Sequence, residues 1–379
     1  MRVQRTALVV AGAAALAACG AATPSPTGSP ISPTTGSPAS TASPTQAEAS
    51  FEPLLVAFSA GSSGPGMLML ASGQTTAPMP SGPIIGGYGT LTISGTLGAR
   101  LIGTDGREGS SSGPLSMVAV SSDGTITTLE QNVAGSPSVV GRDDGQAWAW
   151  AVQTNSPACG TSTRAAFDIF TDDGDGARKI GSASFGAGVT HVSLVAWTAA
   201  GIVASGDNSC GGPADPSTLV ISPAIIIDPA TGAATGLAPR IGTNCDFEAI
   251  VDDGTIACAL HGSVPAIRVI ASDGKQTDHS IPGLTSPQCI NGGVQLSPDA
   301  SFAAVSLLCH TGGPRLVLLD IASGHVVTVI GASNLAPTVW TQDDILIATE
   351  FGVDKTYAVA TSGTATLINA TYAAQTSVG

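Results

Sequence analysis

Lysine is almost missing from this chain. Only Lys179, Lys275 and Lys355 occur, and Lys plus Arg total 13 against 27 Asp plus Glu, a formal net charge of −14. A surface that neutralises phosphate backbones needs a basic stripe, so nucleic acid is excluded as a partner. Attraction to anionic lipid headgroups through a polybasic patch is excluded for the same reason. Aromatic residues make up only 4% of the chain, and a stacking surface for glycans would want them in loops, which hold hardly any. Metal-ligand spacing is absent as well. The 7 Cys and 5 His form no Cys-x-x-Cys, His-x-His or His-Glu-x-x-His pattern, so no metal or other cofactor is expected. The apolar run Leu8 to Ala18 is too short to cross a bilayer as a helix.

That run is nevertheless informative. Arg2 and Arg5 lead it and Leu16-Ala17-Ala18-Cys19 closes it, the order of basic region, short apolar region and small residues found in an export signal. The tetrapeptide resembles the lipobox of bacterial lipoproteins. The resemblance implies that residues 1–18 are a signal peptide, that Cys19 becomes the mature N-terminus, and that it carries acyl chains on its thiol and amine. Several acyl chains hold a protein on a membrane durably, so the expected location is the extracytoplasmic face of the cell membrane, anchored by lipid. From Gly20 to Ala47 there is no charged and no aromatic residue, and Ser37-Pro38 and Ser43-Pro44 favour extended, solvated backbone. Residues 19–50 therefore read as a lipidated cysteine plus a disordered tether reaching roughly 30 to 90 Å, and residues 51–379 as the folded domain.

Six cysteines remain beyond Cys19: Cys159, Cys210, Cys245, Cys258, Cys289 and Cys309. An even set in an exported chain predicts disulfides. Cys245 and Cys258 lie on either side of the Val251 to Gly254 turn, and Cys289 and Cys309 straddle the Ser297 to Ala300 turn in the same way, so each pair is placed to close one hairpin. Cys159 with Cys210 would complete the set, although other pairings among six cysteines stay open.

The rest of the chain is a succession of short Val, Ile, Leu, Ala and Thr runs separated by Gly, Asp-Gly, Ser-Pro-Asp and Thr-Gly turns, with no long helix. Internal repetition is visible in it. Val195-Ala196-Trp197-Thr198 followed by Gly201-Ile202-Val203-Ala204 matches Val339-Trp340-Thr341 followed by Ile345-Leu346-Ile347-Ala348, and Phe302 to Gly324 matches Leu54 to Gly73 apart from inserted residues. Each unit has four strands in roughly 40 to 55 residues, the size of a propeller blade. Units fall near 51–87, 88–135, 136–188, 189–242, 243–284, 285–334 and 335–376, the first incomplete. The expected fold is all-β: a disulfide-bonded β-propeller of four-stranded blades, seven of them, with six or eight as alternatives. The phrases LSPDASFAAV and VWTQDDILIATE resemble the TolB-like and WD-repeat-like propellers of bacterial envelope proteins, though the Trp-Asp dipeptide is missing.

In such a blade the loops between strands two and three and between successive blades share one face. Here those loops are long and varied, and stiff loops over a rigid scaffold are where binding tends to sit. The candidate binding residues on this face are Asp105, Arg107, Glu108, Asp207, Asn208, Asp215 and His310. Motifs that suggest chemistry read better as a flexible loop, at Gly109 to Gly113, or as turns. Gly109 to Gly113 satisfies G-x-S-x-G but is followed by Pro114 and a strand instead of a helix. Ser272 to Lys275 matches S-x-x-K but lies between two strands, and the Asp172 to Gly176 cluster lacks EF-hand spacing. The histidines read as isolated, and Trp197 and Trp340 share one blade position, which suggests packing. No catalytic residue is assigned. The expectation is a non-catalytic binding or scaffold module for an envelope protein or cell-wall component. The alternatives are a propeller hydrolase, lactonase or glycan-acting, with acidic residues at the axial mouth, or a ligand-sensing module.

Overall fold

The computed structural model describes residues 55–59, 67–70, 75–78, 91–105, 115–121, 125–133, 137–155, 157, 163–207, 223–242, 244–260, 266–281, 289–309, 315–341, 344–350, 355–369 and 373–378. Cys19 and residues 1–50, together with Cys159, Cys210 and the Gly109 to Gly113 segment, lie outside them.

In chain order the strands begin with β1 (Leu55–Ser59), β2 (Met67–Leu70) and β3 (Thr75–Pro78). Then come β4 (Leu91–Leu97), β5 (Arg100–Asp105), β6 (Leu115–Val120) and β7 (Ile126–Val133), followed by β8 (Ser138–Gly141), β9 (Trp148–Gln153), β10 (Arg164–Asp172) and β11 (Arg178–Ala187). The middle of the chain supplies β12 (His191–Thr198), β13 (Gly201–Asp207), β14 (Ala224–Ile227) and β15 (Ala234–Gly236), a single helical turn, α1 (Ala238–Ile241), and β16 (Cys245–Ile250), β17 (Ile256–Leu260), β18 (Ala266–Ile270) and β19 (Gln276–Ser280). Last are β20 (Cys289–Leu296), β21 (Phe302–Cys309), β22 (Arg315–Asp320) and β23 (Val326–Thr328), then β24 (Leu335–Trp340), β25 (Leu346–Glu350), β26 (Lys355–Val359) and β27 (Ala365–Asn369), and β28 (Ala373–Val378).

These form seven antiparallel sheets of four strands, six of consecutive strands and one of order β28-β1-β2-β3. The strands β4, β8, β12, β16, β20, β24 and β28 are each the first in their sheet, and each lies beside another of the set, with β28 between β24 and β4. The described strands make a β-propeller of seven blades. The expected blade count therefore holds, with one change of boundary. Residues 373–376, assigned to the seventh unit, belong to the first blade, because the N-terminal segment supplies only three strands and the open edge of β1 takes up β28 from Leu55↔Val378 to Ser59↔Ala373.

The apolar residues explain the stacking. Every hydrophobic cluster described lies between two neighbouring blades. Val203, Ile227 and Phe167 sit with no exposure, Val203 facing Phe247 and Cys258 of the fifth blade and Phe167 facing Leu194 and Ile202 of the fourth. Between the fifth and sixth blades Ile267 and Val269 meet Val305, Val317 and Leu319. The middle strands are thus covered on both faces and read as continuous apolar runs, β22 being buried from Leu316 to Leu319. Each such side chain contributes roughly 1.5 to 3 kcal/mol by leaving water.

The repeated turns are equivalent down to single hydrogen bonds. Gly254 N donates to Val251 O, Ala300 N to Ser297 O and Asp344 N to Thr341 O, each closing the turn between a blade's first two strands. The third residue after the acceptor needs positive φ: Gly254 adopts +87°, while Ala300 and Asp344 take 56° despite a side chain. Cys245 and Cys258 are bonded, Cα atoms 5.5 Å apart, across β16 and β17. Cys289 and Cys309 stand opposite each other in the β20–β21 register.

Deleting residues 373–379 would leave β1 with an unpaired edge, which favours aggregation. The expected result is a fall in the unfolding midpoint of about 10 °C or more, with loss of a single cooperative transition, read by calorimetry. A truncated chain that unfolds like the full one would show that closure by β28 contributes little.

Candidate functional site

An inner strand has one hydrogen-bonding edge free, and in a propeller that edge faces the axis. Here several of those edges are satisfied by side chains of the neighbouring blade. Ser138 Oγ accepts from Leu194 N at 2.8 Å, Glu248 Oε2 accepts from Val294 N at 3.2 Å, and Gln295 Nε2 donates to Thr338 O at 2.9 Å. Trp340 Nε1 returns a bond to Gln295 O at 3.3 Å.

Six of the seven inner strands also skip one residue in pairing with the next strand. The skipped residues are Ser94, Val195, Glu248, Gly292, Thr338 and Gln375. A one-residue bulge bends the strand and re-aims the residues after it, and repeated around the axis it re-aims the last residues of those six strands. Gly141 shows how closely they approach. A Cβ there would run into the Thr96 carbonyl and the Leu97 Cα of the neighbouring blade.

The result is an axial cavity of about 450 Å³, lined by the ends of β4, β8, β12, β16, β20 and β24 and by the turns next to them. Trp197, Trp340, Ile250 and Leu296 form apolar wall, and Asp143, Glu248 and Asp252 supply charge. No Lys, Arg or His is among the lining residues. Two of the carboxylates have structural bonds: Glu248 to Val294, as above, and Asp252 Oδ1 to Ala199 N at 2.9 Å. The Asp143 carboxyl has no hydrogen-bond partner among the described residues. Burial, with Asp252 and then Asp144 adding repulsion, pushes it above the ordinary carboxylate range. The carbonyl Oε1 of Gln295 is sealed from solvent and accepts no bond.

This cavity lies at the end where inner strands finish. The face singled out from the sequence lies at the other end: Asp105 closes β5 opposite Leu91 at the start of β4, and Asp207 closes β13 opposite His191 at the start of β12. Arg107, Glu108, Asn208, Asp215 and His310 lie outside the described residues. Trp197 and Trp340 share a blade position, as expected, and both pack: Trp340 stacks on Phe302 with ring centroids 6.3 Å apart, and Trp197 lies under the Arg142 guanidinium at 5.8 Å. Both also line the cavity, a role that the sequence pattern did not suggest.

The motifs at Asp172 to Gly176 and Ser272 to Lys275 are turns. Asp172 Oδ1 accepts from Gly174 N and Gly176 N at 2.8 and 3.2 Å. Asp273 Oδ1 caps Lys275 N at 2.8 Å between β18 and β19. Among the described residues no three His, Cys, Asp or Glu side chains gather as a metal site, and no helix is long and apolar enough to cross a membrane.

No family model matches the chain, and no curated protein matches it. Solved structures do. The periplasmic gluconolactonase PpgL of Pseudomonas aeruginosa is 16% identical with a TM-score of 0.50, covering 85% of this chain and 97% of that one. An acylaminoacyl peptidase of Pyrococcus horikoshii is 12% identical with a TM-score of 0.53, covering 84% and 51%. TolB from Acinetobacter baumannii is 10% identical with a TM-score of 0.42, covering 86% and 66%. The gluconolactonase and the peptidase share the β-propeller with this chain. At these identities the likeness shows the fold alone, and this chain spans about half of the peptidase.

His279, on β19, is a separate titratable feature. It is 8% exposed, lines a groove of about 490 Å³ with Lys275, Thr277 and Ser323, and its Nε2 has no partner. Burial lowers its pKa from the ordinary 6.5, and neighbouring Asp278 offsets only part of that. The unfolded chain therefore binds the proton more readily. The His279 contribution to stability should be intact above about pH 6.5 and diminish as pH falls below that value, while His279→Gln should flatten this part of the profile. Denaturant unfolding between pH 5 and 8 tests it, and identical profiles would remove His279 from the account.

Proposed function

We propose that this chain is a lipid-anchored, extracytoplasmic β-propeller whose axial cavity binds a basic group of an envelope protein or cell-wall component without catalysing a reaction on it. The observation behind this reading is the lining of the axial cavity: three carboxylates and no cation. Such a lining has acceptors to offer and lacks donors, the complement of an amine or guanidinium. Its volume lies within the range of ordinary ligand sites. Two of the three carboxylates are held by backbone N–H groups, which suits a fixed binding surface. The long tether, residues 19–50, and lipidation at Cys19 would present that surface away from the membrane.

A second reading has one observation in its favour. Asp143 has a raised pKa at the axial mouth, as a general acid would, and a propeller hydrolase acting on lactones or glycans would place acidic residues there. One variant separates the two. Asp143→Asn removes repulsion with Asp252, so the unliganded protein should melt at a higher temperature at pH 7, with the gain shrinking as pH falls and Asp143 takes up its proton. The same change should weaken binding of an amine probe, N-acetyl-lysine methylamide, by about tenfold, measured by isothermal titration calorimetry. Unchanged affinity would overturn the binding reading. Lactone or glycoside turnover abolished by the substitution would establish the hydrolase instead.

Anchoring is tested separately. Cys19→Ala should release the protein from the membrane fraction on cell fractionation, and unchanged retention would sink the lipoprotein assignment.

A further inference from the structure

Five buried side-chain polar atoms among the described residues have no hydrogen-bond partner, and two of them, Arg142 Nε and Thr171 Oγ1, belong to residues lining a single cavity of about 190 Å³. It lies at the seam between the third and fourth blades. Ala147, Thr171, Asp173 and Arg178 come from one side and Trp197, Pro229 and Ala230 from the other, with Arg142 in the turn after β8. Trp197 separates it from the axial cavity and lines both.

Its chemistry is the reverse of the axial cavity's. Arg142 gives Nη2 to Asp144 at 2.7 Å and lays its guanidinium over Trp197, leaving Nε–H unspent. Arg178 makes one long bond, Nη2 to Pro229 O at 3.5 Å, which leaves most of its five donors free. Thr171 is 2% exposed, so its hydroxyl has no solvent to turn to. Buried donors without partners are uncommon in folded proteins and call for an explanation such as a bound group. Charge narrows the class. Asp144 pairs with Arg142, and Asp173 on the lining also acts on the Arg142 charge, so the cavity has surplus donors and little surplus positive charge. A planar, singly charged acceptor suits it better than a dianion, since guanidinium groups present paired N–H donors in the geometry of a carboxylate.

We infer that this seam cavity is a carboxylate-binding subsite, served by Arg142, Arg178 and Thr171. It stands on the unspent donors alone, whether or not the axial cavity takes a basic group.

The test is a titration of the ¹⁵N-labelled full-length chain with sodium acetate, inorganic phosphate or sodium chloride at constant ionic strength. The readout is the arginine Nε–H resonances, with Arg142 assigned through Arg142→Lys. A saturable acetate shift at the Arg142 resonance is expected, with affinity reduced fivefold or more in Arg178→Gln and in Thr171→Val, while phosphate binds more weakly than acetate. Thr171→Val keeps shape and removes only the hydroxyl, so it guards against a loss that merely reflects unfolding. A linear response to acetate no different from chloride would mean that water alone fills the cavity and would overturn the subsite. Phosphate binding as tightly as acetate would overturn the carboxylate assignment.

Discussion

Ring closure is the constraint on which the rest of this structure depends. The third to sixth blades each bury both faces of their middle strands against their neighbours, so none of them has a finished surface by itself. A ring removes the two unfinished ends that a row of blades would leave. The pairing of β28 with β1 joins the last strand of the chain to the first, and so makes the hydrophobic stacking of every other blade a property of the whole ring. It also fixes the diameter at the axis. With the blades unable to splay, the free edges of the inner strands are held close enough for side chains to reach across, as Ser138, Glu248 and Gln295 do.

Those crossings and the bulges together shape the cavity. A backbone edge left bare at the axis would need water or a ligand at every N–H and C=O. Here part of the edge is satisfied by the neighbouring blade, and each bulge removes one residue from the ladder and re-aims the next ones. Glu248 does both: it is the bulged residue of β16, and its carboxylate takes the Val294 amide. The cavity is therefore acidic partly because one of its carboxylates is a structural clamp.

Much of the architecture was legible in the residues. The repeated Trp positions, the Asp-Gly and Ser-Pro-Asp turns and the spacing of Cys245 and Cys258 all reflect local chemistry that recurs from blade to blade, and local chemistry is what sequence reports well. The axial site was not legible, for two physical reasons. Asp143 and Asp252 sit in short turns, where an acidic residue is the ordinary choice for capping backbone N–H groups, so nothing in their immediate sequence separates a lining residue from a turn former. Glu248 was hidden by its bulge. Strict alternation along β16 assigns side chains to faces by counting, and one skipped residue shifts the count. The signal that could have found the site was the blade repeat itself: once Val251 to Gly254 and Ser297 to Ala300 are seen as the same turn, the residues ending each first strand must meet at the axis.

The seam between the third and fourth blades shows how the scarcity of cations in this chain shapes its chemistry. With 13 Lys and Arg against 27 Asp and Glu, many carboxylates are matched to backbone amides, as at Asp172, Asp228 and Asp299. Such bonds hold turns without needing a counter-charge, which leaves the arginines for other uses. Arg142 stands where the acidic axial cavity ends and the donor-rich seam begins. It screens Asp144, covers Trp197 and keeps one donor in reserve. Asp143, next in the chain, has no such partner, and its carboxyl is disfavoured by burial and by Asp252. A fold held only to its own stability would relieve that repulsion with an amide or an apolar side chain. Retaining it costs stability, and a basic group bound in the cavity, as we propose, would offset that cost.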